Sequence, residues 1–173
     1  LDAEQRDYLT TVLDSAESLL RLLNDILDLS KIEARKLQLD AIEFSLAETL
    51  RDTLKAFSFQ ARQKHLRLDL LLPLHVPERL IGDPARLRQV LTNLVGNAIK
   101  FTERGEVVLS ITCVHRDADQ AQLHFEVRDS GIGISREQLG AIFEAFSQAD
   151  SSTTRRFGGT GLGLAISQQL VAL

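Results

Sequence analysis

The chain has 173 residues, 44% of them apolar, with 24 acidic against 20 basic side chains and a net charge of −4. That is enough to bury a core in one ordinary domain with a helical appendage. An acidic balance without a Lys/Arg tract lacks the electrostatic footprint of a nucleic-acid binder, so no nucleic-acid partner is expected. No apolar run is long enough to span a bilayer, and Leu1 to Leu9 has neither the basic nor the apolar region of a secretory signal. The single cysteine, Cys113, rules out an intrachain disulfide and a Cys-rich metal site, and it fits a reducing, cytoplasmic setting.

Residues 1–33 read as one long helix. With Leu9 at heptad position a, Leu9, Ala16 and Leu23 fall at a, Val12, Leu19 and Ile26 at d, and Leu13, Leu20 and Leu27 at e. Three apolar positions per heptad is the pattern of a bundle helix. The stripe needs a second helix, a second chain, or its own domain to cover it, and the segment alone does not choose. Residues 31–43 form a charged connection. Ser45 to Gln63 reads as a helix, with Glu48 at capping-box spacing from Ser45. Leu66 to Leu72 alternates like a strand and is ended by Pro73 and Pro77. Asp83 and Pro84 open a helix that runs to about Phe101. Glu106 to Val114 and Gln122 to Val127 read as two strands joined by the polar turn His115 to Gln120. Cys113, in the first of them, reads as a small core residue. A short helix over Ser135 to Phe146, a polar Gly-rich loop to Gly161, and a last helix over Leu162 to Leu173 complete the chain.

Three segments carry candidate chemistry. In the helix ending at Phe101, Asn93 and Asn97 are four apart and Lys100 follows two turns after Asn93, so the three share one face. Two amides and an ammonium there suit a divalent ion and a phosphate chain, because amide oxygens are hard ligands acceptable to Mg²⁺. On spacing alone the plainer reading, a solvated face of a core helix, comes first. Asp129-Ser-Gly-Ile-Gly133 follows a strand. Its glycines permit close backbone approach, and a strand-end carboxylate can accept from an exocyclic amine. A Gly-rich Asx turn accounts for it equally. Gly158 to Gly163 opens a helix and offers free N–H groups to an anion, yet it fits neither the P-loop nor the dinucleotide pattern.

The order of these segments is more specific than any one of them. Asn93 to Thr102, Asp129 to Gly133, Phe143-Glu-Ala-Phe146 and Gly158 to Gly163 resemble, in succession, the N, G1, F and G2 boxes of the histidine kinase catalytic domain. Gly82-Asp-Pro-Ala-Arg-Leu-Arg-Gln89 and Phe146 to Arg156 are similar to the hybrid sensor kinases. Leu27-Asp-Leu-Ser-Lys-Ile-Glu33 resembles the end of the second helix of their dimerisation and phosphotransfer domain. The resemblance covers nearly the whole chain. It implies a helical segment over residues 1–38 and an ATP-binding domain over 39–173, with the two-layer α/β sandwich of the histidine kinase, gyrase and heat-shock-ninety ATPases.

By the same resemblance, ATP and Mg²⁺ are the expected ligands. Asn97 would hold Mg²⁺, with Asn93 beside it, and Lys100 would meet the phosphates. Phe101 would pack on adenine and Asp129 would accept from its amine, with Gly131 and Gly133 opening the pocket. Gly159, Thr160, Gly161, Leu162 and Gly163 would line the phosphate side. Residues 147–160 would form the lid, with Arg155 and Arg156 reaching phosphate and Phe143 and Phe146 packing its base. Gyrase-like and chaperone-like relatives carry a Glu four residues before the metal-binding Asn. Here that position is Asn93, and a neutral amide cannot take a proton from water, which favours transfer to a nucleophile over hydrolysis.

The family's phosphoacceptor is a His followed by Glu or Asp on the first dimerisation helix. The histidines here, His65, His75, His115 and His124, have no such neighbour and none lies in residues 1–33. The acceptor is therefore expected upstream. The Gly-rich hairpin that follows the last helix in the family is likewise expected beyond Leu173. Expected partners are an acceptor helix of the same or a partner kinase chain, a response-regulator receiver domain, and a second copy paired through residues 1–33. The parent is expected at the inner membrane. The alternative reading is a helical dimerisation module with a regulatory or inactive nucleotide site.

Overall fold

A computed structural model describes residues 2–146 and 161–173. The first helix, α1 (Ala3–Glu33), opens with a complete capping box: Asp2 Oδ1 accepts from Gln5 N at 2.7 Å, and Gln5 Oε1 accepts from Asp2 N at 3.2 Å. It ends where Arg35 turns left-handed at φ 53°. The strand β1 (Ile42–Ser45) leads into α2 (Leu46–Gln63), capped by Ser45, whose Oγ accepts from Glu48 N. Only this hydroxyl half of the expected capping box is formed. Then come β2 (Leu66–Leu71), β3 (Arg79–Gly82) and α3 (Pro84–Phe101). The strands β4 (Gly105–Arg116) and β5 (Ala121–Asp129) precede the short α4 (Arg136–Leu139) and the last helix, α5 (Gly163–Ala172).

The sheet has the order β2-β4-β5, with β2 parallel to β4 and β5 antiparallel to it. A separate antiparallel pair, β1 with β3, closes one end. Alternation along β4 points Val107, Leu109 and Ile111 into the core, where they meet Leu46 and Leu50 of α2 and Leu91 and Val95 of α3. The opposite face carries Arg67, Asp69, Glu106, Ser110 and Glu126, linked by ion pairs and a hydrogen bond. A sheet with helices on one face and charge on the other is a two-layer sandwich. Cys113 is half-buried against the core.

Three local readings need correction. The helix expected over Ser135 to Phe146 is helical only over Arg136–Leu139, and turns follow. Ser135 caps it, but Gly140 and the lack of buried residues give it nothing to extend on. The strand β1 begins inside the connection expected over 31–43 and β3 lies in a stretch given no element, because four-residue strands are too short to show a period. The β4–β5 hairpin extends beyond the expected bounds, to Arg116 and Ala121, past a register shift between Cys113 and His115.

The open question about α1 is resolved in part. Its apolar stripe from Leu9 to Leu27 is between 43% and 64% exposed, so the described residues do not cover it. Only the last turns dock: Leu29 and Ile32 pack with Leu37, Val90, Leu162, Ile166 and Leu170. Beside them Asp28 Oδ2 accepts from Arg86 at 2.6 Å and from Gln89 Nε2 at 2.9 Å. Burial alone would raise the Asp28 carboxyl, but the Arg86 and Gln89 hydrogen bonds and the Arg86 charge outweigh it and hold the carboxyl below the usual range. Asp25 is shifted the other way, raised by burial and by the neighbouring Asp28 charge.

The signs give a test. A depressed folded value means the Asp28 contribution is present above the ordinary carboxylate pKa and is lost as pH falls through the folded value. The Asp25 penalty is relieved earlier in the same descent, as pH falls through its raised folded value toward the ordinary carboxylate pKa. Asp28→Asn should therefore lower stability by about 1–3 kcal/mol at neutral pH, while Asp25→Asn should leave it unchanged or raised. Thermal unfolding from neutral to acid pH checks both, and a wild-type midpoint for Asp28→Asn would remove the pair from the account of docking.

Candidate nucleotide site

The site is built around α3. Asp83 caps its start, with Oδ1 accepting from Ala85 N and Arg86 N at 3.0 and 2.9 Å, and Oδ2 accepting from Asp40 N at 3.1 Å. Burial would raise this carboxyl, but the three backbone donors together hold it below its ordinary value. One side of α3 is the core face of Leu91, Val95, Ala98 and Ile99. Asn93, Asn97 and Lys100 lie off that face and are half-buried. Burial lowers the Lys100 ammonium below the ordinary lysine range, and the ammonium sits 4.9 Å from the Phe101 ring centroid. A desolvated cation at a helix end is a place where an anion is favourable.

At its far end α3 is terminated by a side chain that the sequence did not single out. Lys64, the C-cap residue of α2, donates from Nζ to the carbonyls of Ile99 at 2.7 Å, Lys100 at 2.9 Å and Thr102 at 3.3 Å. The orphan carbonyls of a helix end are met there by one ammonium.

This fixed end receives the strand-end turn. Asp129 Oδ1 accepts from Gly131 N at 2.8 Å and lies 3.5 Å from the hydroxyl of the buried Thr102. Ile132 N reaches Phe101 O at 3.4 Å. A Cβ on Gly131 would lie 2.6 Å from Phe101 O, 2.7 Å from Asp129 Oδ1 and 2.9 Å from Thr102 Oγ1, so only glycine fits. Gly133 differs. It is left-handed at φ 70°, and a Cβ there would meet nothing within 4 Å. One glycine permits packing and the other faces open space, and Asp129 at the head of the turn is exposed. Ser130 ties this turn to β4, its Oγ accepting from Glu106 N at 2.9 Å.

The third component is the start of α5. Leu162 is fully buried and Gly161 is left-handed at φ 71°. Asn93 Nδ2 donates to Gly163 O at 3.1 Å and to Ser167 Oγ at 3.2 Å. The structure thus joins Asn93 to Gly163 and gathers Asp129 and Gly131 at the Phe101–Thr102 end of α3. Gly158, Gly159, Thr160, Arg155, Arg156 and the lid over 147–160 lie outside the described residues. Phe146 N donates to Gly161 O at 3.1 Å, which brings the two ends of that segment together. Phe143 and Phe146 are largely exposed among the described residues. All four histidines are exposed.

A polar helix face, a carboxylate behind a glycine turn and a glycine-opened helix, all on a one-sided sheet, define the class: a nucleotide-binding domain of ATPase type. Residues 82–173 match the family described as histidine kinase-, DNA gyrase B-, and HSP90-like ATPase, and residues 1–35 match the His Kinase A (phospho-acceptor) domain. The sensor histidine kinase GacS of Pseudomonas protegens is 50% identical over 99% of this chain, and the signal transduction histidine-protein kinase BarA of Escherichia coli is 46% identical over the same share. The chain spans 19% of the length of each. Among solved structures, full-length ShkA in complex with AMPPNP superposes with a TM-score of 0.80 at 35% identity, covering 99% of this chain and 34% of that one. The histidine kinase AdeS of Acinetobacter baumannii gives 0.74 at 27% identity, covering 95% and 72%. The chain belongs to the sensor histidine kinase branch of this ATPase family.

The two glycines supply a test of the turn. Gly131→Ala should destabilise the domain by about 1–3 kcal/mol, because its neighbours are backbone, a fixed carboxylate and a buried hydroxyl. Gly133→Ala meets no atom and should cost only the left-handed penalty of roughly 1 kcal/mol. Urea unfolding of the two variants measures the difference; equal losses would contradict the packing described.

Proposed function

We propose that this chain is the ATP-binding catalytic module of a sensor histidine kinase. It would transfer the γ-phosphoryl group of ATP to a histidine outside these residues. The observation that carries the reading is the turn Asp129–Gly133 seated on the Phe101–Thr102 end of α3: an exposed carboxylate that accepts from the N–H of a glycine nothing larger can replace. Family membership and the AMPPNP bound to the related ShkA support it.

In this reading Asp129 accepts from the adenine amine, and the open side of Gly133 admits the base. Phe101 contributes its ring, and Gly131 keeps the floor thin. Lys100 offsets phosphate charge, and the N–H groups at the start of α5 face the phosphates from the side of Gly161, Leu162 and Gly163. Asn97 supplies an amide oxygen for Mg²⁺, which contributes charge neutralisation to the transferring group. Gly159, Thr160, Arg155 and Arg156 belong to the phosphate side on sequence grounds. Among the described residues no group of three His, Cys, Asp or Glu is placed to hold a metal. Asn93 offers no base for water. The acceptor nitrogen therefore has to come from a histidine helix, and a response-regulator receiver domain is the expected next acceptor.

The division near residue 38 belongs to the same proposal. It is supported by the left-handed Arg35 and by a phospho-acceptor match that covers residues 1–35. So does pairing of two copies through the exposed Leu9–Leu27 stripe, since an uncovered apolar face of that length marks a contact surface. No helix among the described residues is long and apolar enough to cross a membrane.

The test has two arms. Calorimetry with a non-hydrolysable ATP analogue should show binding that weakens at least about tenfold in Asp129→Ala, the equivalent of one charge-assisted hydrogen bond. Asn97→Ala should lose affinity in the presence of Mg²⁺. With ATP, Mg²⁺ and a separate acceptor segment of a parent kinase, phosphohistidine should form without steady turnover of ATP in the acceptor's absence. Full binding by both variants, or turnover without acceptor, would refute the reading.

A further inference from the structure

Asn93 lies in the middle of α3, four residues before Asn97, and its amide is not free to follow a ligand. Its Nδ2 donates to Gly163 O at 3.1 Å and to Ser167 Oγ at 3.2 Å. Ser167 is buried, and its own hydroxyl donates to the same Gly163 carbonyl at 2.8 Å. Two donors thus converge on one acceptor and also touch each other, which fixes the plane of the amide. The oxygen side is close as well. A Cβ on Gly163 would stand 3.3 Å from Asn93 Oδ1 and 3.2 Å from its Cγ, so the whole amide lies flat against the first residue of α5.

The start of α5 depends on this contact. Its N-cap residue, Leu162, makes no side-chain cap hydrogen bond. The first turn is instead held from below by buried Leu162 and Ile166 and from the side by Asn93 and Ser167. Anchoring the Gly163 carbonyl to Asn93 and Ser167 keeps the first turn of α5 in one place. Gly161 and Gly163 bracket the buried Leu162, so a shift of the first turn would move the glycines that open the helix.

We propose that Asn93 is a positioning residue. With Ser167 it pins the first turn of α5 to α3, and it acts on a bound nucleotide through Gly163 rather than as a ligand of Mg²⁺. This rests on the ATP-binding reading above, but its first consequence does not. In the nucleotide-free chain, backbone amides of residues 163–168 should exchange with solvent about three- to tenfold faster in Asn93→Ala and in Ser167→Ala, the range set by one net hydrogen bond.

With an ATP analogue, Asn93→Ala should lose a similar factor in affinity whether Mg²⁺ or EDTA is present, whereas the loss in Asn97→Ala should appear only with Mg²⁺. The Asn93→Ala/Ser167→Ala double variant should bind no more than about twofold worse than Asn93→Ala alone, because the two side chains act as one unit. Unchanged exchange in α5, or an Asn93→Ala loss that vanishes in EDTA, would overturn the proposal. If Asn93→Ala does not unfold cooperatively, Ser167→Ala, which removes one hydroxyl, carries the same comparison. If the wild-type chain fails to bind the analogue, the nucleotide reading falls and the exchange rates still decide what Asn93 does.

Discussion

The helix α3 is packed from several sides at once, and such a helix has a difficulty at its end. Its last carbonyls have no intrahelical partner and need donors from elsewhere. Lys64 resolves this by reaching across from the end of α2 and meeting three carbonyls with a single ammonium. That contact lets the chain leave the helix at Phe101–Thr102 without frayed carbonyls. The Phe101 carbonyl is then rigid enough to receive Ile132 N and to sit against Gly131. The strand-end turn is therefore as well placed as the helix end it rests on.

Along α3 the remaining contacts are arranged by position. At the first turn Asp83 gathers two helix donors and the linker amide of Asp40, while Arg86 and Gln89 hold Asp28 of α1. In the middle Asn93 holds α5. At the last turn lie Lys100, Phe101 and the glycine turn. One stiff element thus carries the docking of α1 at one end and the Asp129–Gly133 turn at the other. The apolar contact of Ile32 and Leu29 with Leu162, Ile166 and Leu170 adds a second connection, since α5 touches both helices.

Much of this was legible in the sequence because it rests on short-range signals. Asp83-Pro84 announced a capped helix, and Asp129 to Gly133 announced a turn with close approach. Periodicity gave α2, α3, β4 and β5 within a few residues. What escaped depends on partners far apart in the chain. Lys64 and Ile99 are 35 residues apart, and Asp28 and Arg86 are 58 apart. No local pattern marks a lysine as a helix cap or an aspartate as a docking point. Asn93 shows the limit from the other side. Its place on the polar face was evident from spacing, but its engagement with Gly163 required the position of α5. The strands β1 and β3 were missed because four residues hold two periods at most.

The β4–β5 hairpin has a consequence for what the domain can tolerate. Side chains alternate along a strand, so a one-residue slip would turn Asp129 to the opposite face and bring Arg128 or Ser130 into its place. Pairing runs without interruption from Val107–Asp129 to Cys113–Leu123, and the shift comes only beyond it. The irregularity therefore separates the hairpin into a metered half next to the turn and a free half at the tip. Residues may be gained or lost around Asp117 to Gln120 without disturbing the register that aims the carboxylate, and the same change between Val107 and Ile111 would misdirect it. The tip of this hairpin is thus where lineages of such domains can diverge in length while the Asp129 carboxylate stays where it is.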